Sequence, residues 1–253
     1  MRLVAWNCRS GIHRKLEALH ALAPDVAIIP ECCNLEILAR KAPGLAPTSA
    51  LWIGANPNKG LGVFSFGPHH LERDDAYDPS ISYALPVRVS GLGPDRTGER
   101  FHLVALWAHH GVVGTRMSTT GPTLQALAAY ESFLLARPSI VAGDFNNHVR
   151  WDKVGKAWNH ANTVAAFERL GFVSAYHEFL GLEQGAEQHP TFYWRTRSAD
   201  GPTYHIDYVF VPRASVGRLQ SVAVGSRADW IATGLSDHVP LILDFDPAFA
   251  ADV

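Results

Sequence analysis

The chain reads as an α+β protein built on two packed β-sheets with helices outside them, and three observations carry that reading. Apolar, strand-like runs outnumber helical patterns; the helical patterns fall between strands in two rounds; and no linker, low-complexity tract or fixed-period repeat separates the rounds. Residues 1–253 are therefore read as one domain. With 47% hydrophobic and 18% charged residues, 253 residues suffice for one large core.

The first strand is "RLVAW", residues 2 to 6, after which Ile12, Leu16, Leu19 and Leu22 recur at helical spacing before Pro24. A second strand, "DVAIIPE", is expected to end at Pro30. Asn34 is placed to cap the next helix, "NLEILARKAPG", which stops near Pro43 and Gly44. "ALWIGA", "GLGVFSFG", "ISYALPVRVS" and "RFHLVALWAHH" are then successive strands separated by Gly, Pro and Asn clusters. "GPTLQALAAYESFLLARP" predicts one helix with Leu124, Leu127, Ala128, Leu134 and Leu135 facing inward, followed by the strand "SIVAG". A further helix over "NTVAAFERLGF" precedes four strand-like runs, "TFYWRTR", "YHIDYVFVP", "SVAVG" and "VPLILDF".

Twenty-two basic against twenty-four acidic residues give a net charge of −2, so no global positive field gathers polyanions and any such site must be a local patch. The three cysteines, Cys8, Cys32 and Cys33, cannot form a disulfide framework, and they lack the paired spacing of zinc sites. A reducing compartment follows. The N-terminus has no basic segment leading into an apolar one, and no apolar run reaches 18 residues; a cytoplasmic protein with no membrane partner is expected.

Polar side chains recur at the ends of apolar strands, where function is commonly mounted because the strands hold it rigidly. Asn7 follows "LVAW", Glu31 follows "VAIIP", and Asp144 and Asn146 follow "IVAG". Asp207 sits inside "HIDYVFV", and Asp237 and His238 precede "VPLIL". Singly, each has a plain explanation as a turn or a solvated strand end. Asp207 is harder to dismiss, because a carboxylate among Ile206, Tyr208, Val209 and Phe210 needs a partner, and His238 suits it. Such a pair fixes the histidine tautomer and leaves the other ring nitrogen for substrate. Asn7, Glu31, Asp144, Asn146 and Asp237 form a hard, oxygen-only set that selects Mg2+ or Mn2+ over zinc. HExxH, CxxC, the Walker loop and GxSxG are all absent, which weakens zinc-peptidase, triphosphatase and serine-hydrolase readings.

Taken in order, "WN", "PE", "GDFN", "HIDYVFV" and "SDHVPL" resemble the endonuclease/exonuclease/phosphatase superfamily, which includes exonuclease III-like enzymes, abasic-site endonucleases and pancreatic deoxyribonuclease. The resemblance runs from Asn7 to His238. It implies a four-layer α/β/β/α sandwich, two packed mixed sheets flanked by helices, and a divalent-metal-dependent phosphodiesterase. It also implies Glu31 as a metal ligand with Asn7 and Asp237 near the same ion. Asp144 would orient or deprotonate water, and Asn146 would hold that water or a phosphate oxygen. His238, supported by Asp207, would act as base or stabilise the charged phosphate.

Departures are visible. Trp107 stands where relatives commonly place Tyr or His, so any acid function there must pass to His109 or His110, although a histidine pair at a strand end is equally a solvated turn. Relatives acting on abasic DNA often carry Gln before the glutamate and Lys soon after it; "IPECC" does not. "HVRWDKVGKAWNH" interleaves Arg150, Lys153 and Lys156 with Trp151 and Trp158, and "TFYWRTR" adds Trp194, Arg195 and Arg197. Basic groups neutralise phosphates and aromatic faces stack on bases, so Arg150, Trp151, Trp194 and Arg197 are candidate substrate contacts on a nuclease; core tryptophans and solvated charges are the alternative. The other readings are a phosphatase or phosphodiesterase on a small or lipid phosphate, disfavoured by the missing "PAWCDR", and a catalytically silent nucleic-acid-binding member. No obligate protein partner is expected, and the chain is read as a monomer.

Overall fold

The computed structural model describes residues 1–91, 99–109, 120–194, 201–246 and 249. His110 and Arg197 lie outside the described residues. The first seven strands are β1 (Arg2–Ala5), β2 (Val26–Cys32), β3 (Ser49–Asn56), β4 (Lys59–Ser65), β5 (His69–Arg73), β6 (Ala84–Gly91) and β7 (Glu99–Trp107). The next seven are β8 (Ser139–Asp144), β9 (Phe172–Ser174), β10 (Phe192–Tyr193), β11 (Thr203–Tyr204), β12 (Asp207–Pro212), β13 (Leu219–Val224) and β14 (Leu241–Phe245). Helices α1 (Leu16–Ala21) and α2 (Leu35–Lys41) lie in the first round. In the second are α3 (Thr120–Ala129), α4 (Glu131–Leu135), α5 (His160–Arg169), α6 (Ala175–Leu180) and α7 (Arg227–Trp230).

Two six-stranded sheets result, ordered β13-β14-β1-β2-β4-β3 and β5-β6-β7-β8-β12-β9, with β10 and β11 as a separate hairpin. Each is mixed: β1 runs parallel to β2 and β7 parallel to β8, while the other pairs are antiparallel. Strands buried on both faces read as continuous apolar runs because alternate residues enter different cores. Leu3 and Ala5 of β1 and Ile140 and Ala142 of β8 fill the space between the sheets. Val4 packs outward with Ile12, Leu16 and Leu19, and Val141 packs outward with Leu127, Phe133 and Phe167. The layers are therefore helix, sheet, sheet, helix. No helix among the described residues is long and apolar enough to cross a membrane.

Several elements differ from the sequence expectation. Strand β2 does not stop at Pro30 but continues through a register shift against β4 to Cys32; a bulge is one of the few places where a central strand tolerates proline. The single helix expected over 121–138 breaks at Tyr130, whose hydroxyl accepts the Asp78 N–H at 3.3 Å. The break turns Ala128 and Leu135 to solvent, Leu135 being 56% exposed, while Leu127 and Leu134 stay buried. Among its described residues, 191–194, "TFYWRTR" supplies two strand residues, and β5, β9 and α6 had no clear periodic signal. Asn34 does cap α2, accepting the Ile37 N–H at 2.9 Å.

Gly143 is the one β8 residue that no other amino acid could replace cheaply. Its φ is 145°, and a Cβ there would run into the Leu106 carbonyl oxygen of the parallel neighbour β7. Gly143→Ala should lower unfolding free energy by about 3 kcal/mol through strain and forced strand separation. Urea denaturation measures it, and a change under about 0.5 kcal/mol, the scale of neutral surface substitutions, would show that the pair can yield.

Candidate active site

The two sheets meet at one edge where β1, β2, β8 and β12 bring their polar ends together. In the β8–β12 register Asp144 lies directly opposite Asp207, and both carboxylates are fully buried. Like charges opposite one another in a buried pair are unfavourable, so each must find compensating partners.

Asp144 finds amides. Its Oδ1 accepts the Asn146 backbone N–H at 2.8 Å, a bond closed by the left-handed turn of Asn146, φ 48°. Its Oδ2 accepts from Asn146 Nδ2 and from Asn7 Nδ2, both at 2.9 Å. Asn7 comes from the other sheet, at the end of β1, so this bond staples the sheets across the site. Asn7 Nδ2 also reaches Glu31 Oε1 at 3.4 Å. Glu31 occupies the β2 bulge with φ 61°, strain that a non-glycine residue sustains only where surrounding structure holds it. Its other oxygen, Oε2, pairs with Lys59 Nζ at 3.1 Å.

Asp207 finds His238. Nδ1 of the imidazole lies 2.8 Å from Asp207 Oδ2, and both groups are buried. Thr191 Oγ1 accepts the Asp207 N–H at 3.1 Å, and Ser236 Oγ accepts the His238 N–H at 3.1 Å while donating to the Asn7 carbonyl at 2.7 Å. Burial opposes a charged imidazole, but the charge and hydrogen bond of Asp207, with Asp144 and Asp237, outweigh it and push His238 up to about 9. Burial and the charge of Asp207 push Asp144 upward from the ordinary carboxylate range, against the pull of His238 and the two asparagines.

Asp237 behaves differently from its neighbour: its carboxylate pairs with Arg9 at 3.2 Å. Trp107 is buried beside Asp144 in the β7–β8 register, and its ring is flanked by Tyr83 and His109, each with centroids 4.6 Å away, and by Lys59 Nζ at 5.4 Å. Trp151 and Trp194 are 40% and 53% exposed, so neither is a core residue. Trp151 packs on Tyr204 at 4.6 Å; Trp194 packs on Phe192, which packs on His238 at 4.8 Å. Arg150 and Trp151 lie in one 3-10 turn, Val149–Trp151. Sequence reading missed Lys59, Arg9, Thr191, Phe192 and Tyr204. Lys59 and Arg9 sit in segments that look like ordinary turns, and the others look like strand filler.

A family model for the endonuclease/exonuclease/phosphatase family matches residues 4–238. The chain belongs to that family. It is accordingly a phosphoric-ester hydrolase by membership, and its fold is that of solved family structures. An abasic-site endonuclease from Archaeoglobus fulgidus matches with a TM-score of 0.70 at 15% identity, covering 97% of this chain and 99% of the other. A 3′ phosphatase from Neisseria, solved with a product DNA hairpin, gives 0.68 at 17% identity, covering 97% and 99%. The endonuclease domain of the telomere-specific retrotransposon TRAS1 gives 0.63 at 14% identity, covering 97% of each chain. No curated protein matches the chain.

Asp144, Asp207 and His238 place one ligand atom each within 4.8 Å of one another, and Asp207 Oδ1 is a buried oxygen with no hydrogen-bond partner among the described residues. Glu31, whose Oε1 lies 3.4 Å from the Asn7 amide that also meets Asp144, adds a half-buried carboxylate. These oxygens fit a divalent ion. Asn7 is oriented as a donor, because its Oδ1 accepts the Arg9 N–H at 2.9 Å; to ligate a metal, its amide would have to turn.

His238 has a raised folded pKa, so its imidazolium contributes stability fully below its ordinary value of 6.5 and loses that contribution as pH rises through about 9. An NMR titration should therefore show a protonated His238 ring at pH 7.5, and Asp207→Asn should bring its midpoint down toward 6.5. A midpoint near 6.5 in both proteins would show that Asp207 does not set the charge.

Proposed function

We propose that the chain is a divalent-metal-dependent nuclease that cleaves DNA or RNA by in-line attack of an activated water. The observation that carries this reading is the buried seam in which Asp144 is bonded to Asn7 and Asn146 beside the Asp207–His238 pair. Structural neighbours named for a DNA hairpin product and for endonuclease activity support a nucleic acid over a small phosphate.

In the proposed reaction Asp144 orients the attacking water and accepts its proton, since a carboxylate lifted toward neutrality is a better base than an ordinary one. Asn146, in contact with Asp144, holds the same water or a phosphate oxygen. His238 enters as an imidazolium: Asp207 occupies Nδ1 and holds the positive charge, leaving Nε2–H to donate to the phosphate as negative charge develops. Glu31 would hold Mg2+ or Mn2+, which when bound offsets charge on the non-bridging and leaving oxygens. No covalent enzyme intermediate is required. Trp151, Tyr204, Phe192 and Trp194 form an aromatic border beside His238, with Arg150 next to it, suited to base faces and phosphates.

The test is a panel of single-stranded DNA, duplex DNA, RNA, a chromogenic phosphodiester and small or lipid phosphates, each with Mg2+ or Mn2+. Turnover is expected on nucleic acid, and His238→Ala should reduce kcat by about 10³-fold. Turnover confined to small or lipid phosphates would sink the nuclease reading, and nucleic-acid binding with no turnover anywhere would favour a silent binding module.

Two further outcomes follow from the same geometry. Glu31→Gln should raise the metal concentration at half-maximal activity; an unchanged metal titration would remove Glu31 as a ligand. Trp151→Ala should raise KM for nucleic acid about fivefold or more through lost stacking, with kcat little changed.

A further inference from the structure

A buried carboxylate outside the seam is shared by two histidines. Glu187, its side chain 4% exposed, accepts His148 Nε2–H at 3.2 Å, His177 Nε2–H at 3.1 Å and the Gly185 backbone N–H at 2.9 Å. The proton positions follow from the other ring nitrogens. His148 Nδ1 accepts the Arg150 N–H at 3.0 Å, and His177 Nδ1 accepts from Gln184 Nε2 at 3.3 Å and lies 2.8 Å from Ser174 Oγ. With Nδ1 of each ring facing a donor, Nε2 is the nitrogen that donates to Glu187. Burial opposes charge on Glu187, yet the two imidazole donors and the Gly185 N–H hold it well below the usual carboxylate range.

His148 begins the 3-10 turn Val149–Trp151, which it caps through Nδ1. The far end of that turn is tied by Asp152, whose carboxylate accepts the N–H groups of His160 and Ala161 at 2.6 and 3.0 Å. Trp151 then rests on Tyr204, with His148 beneath at 6.1 Å. Without an acceptor at Glu187, the His148 Nε2–H would be a buried, unsatisfied donor, and the ring could regain a partner only by giving up its cap on Arg150.

We propose that Glu187 is a positioning residue: through His148 it fixes the turn that presents Arg150 and Trp151 to single-stranded or unpaired nucleotides beside the scissile phosphate. The proposal rests on the reading of Arg150 and Trp151 as nucleic-acid contacts. Glutamine at 187 has one acceptor oxygen and a donor amide, so it serves at most one of the two histidines.

The experiment measures steady-state kinetics on a short single-stranded oligonucleotide together with the NMR signal of the Trp151 indole N–H, assigned by its loss in Trp151→Phe. Glu187→Gln should raise KM about fivefold with kcat within twofold of wild type, and should shift or broaden the Trp151 signal while leaving those of Trp6 and Trp107 in place. In the double variant Glu187→Gln/His148→Asn, asparagine caps the turn with its own side chain and needs no carboxylate behind it. KM should return toward wild type, which a general structural role for Glu187 would not produce. Should Glu187→Gln fail to fold, His148→Ala, which removes the cap and leaves Glu187 and His177 intact, should raise KM by the same factor. A KM and Trp151 signal unchanged in these variants, or no recovery in the double variant, overturns the proposal. If Trp151→Ala itself leaves KM unchanged, the contact reading fails with it; an effect in Trp151→Ala but none in Glu187→Gln removes only the role of Glu187.

Discussion

The rest of the site depends on one confrontation: Asp144 and Asp207, both fully buried, face each other across β8 and β12. Two buried like charges opposite one another are a liability in any sheet, and they persist only where the surroundings answer them. The answers come from both sheets. Asn146 turns back on Asp144 from the same strand end, Asn7 reaches it from β1, and His238 comes from the segment leading into β14, strand neighbour of β1. Removing His238 would leave the buried Asp207 charge without its partner, and removing Asn7 would take from Asp144 its one donor from the other sheet, so the packing of sheet on sheet and the chemistry of the seam are one arrangement.

The same arrangement divides the charge. Asp207 spends its hydrogen bond on His238 and keeps the imidazole cationic, while Asp144 receives only neutral amide donors and is lifted upward. Two chemically identical side chains thus acquire different tasks from their partners alone. In the proposed reaction this separates the proton acceptor from the stabiliser of phosphate charge, and it assigns His238 to the second task, a division that the sequence left open.

Much of this was legible beforehand because it rests on local pattern. Apolar runs that end at Asn7, Glu31 or Asp144, or begin after His238, identify both the strands and the polar edge, and the buried setting of Asp207 called for a partner such as His238. What was not legible depends on long-range register. Nothing in "NPNKG" says that Lys59 will meet Glu31 across a bulge, and nothing in "GAEQHPT" says that Glu187 will hold two histidines or that Thr191 will receive the N–H of Asp207. The break at Tyr130 was hidden for a related reason: local periodicity favours one helix, and nothing local says that the Tyr130 hydroxyl will meet Asp78 and Ala84.

Trp107 shows how a departure from a motif can be read physically. An indole at that place supplies neither a titrating proton nor a flexible donor, and its own Nε1 is buried without a partner among the described residues. Yet its ring forms a floor beneath Lys59, Tyr83 and His109, all of which lie beside Glu31 or over the edge of β7. A cation over an aromatic face is held there by the ring's quadrupole as well as by its carboxylate partner. With tryptophan at this place, the cation of the corner is Lys59 at the start of β4, held by Glu31 and the indole face together. In the proposed reaction, an ester bound against Glu31 would meet Lys59 on the same wall.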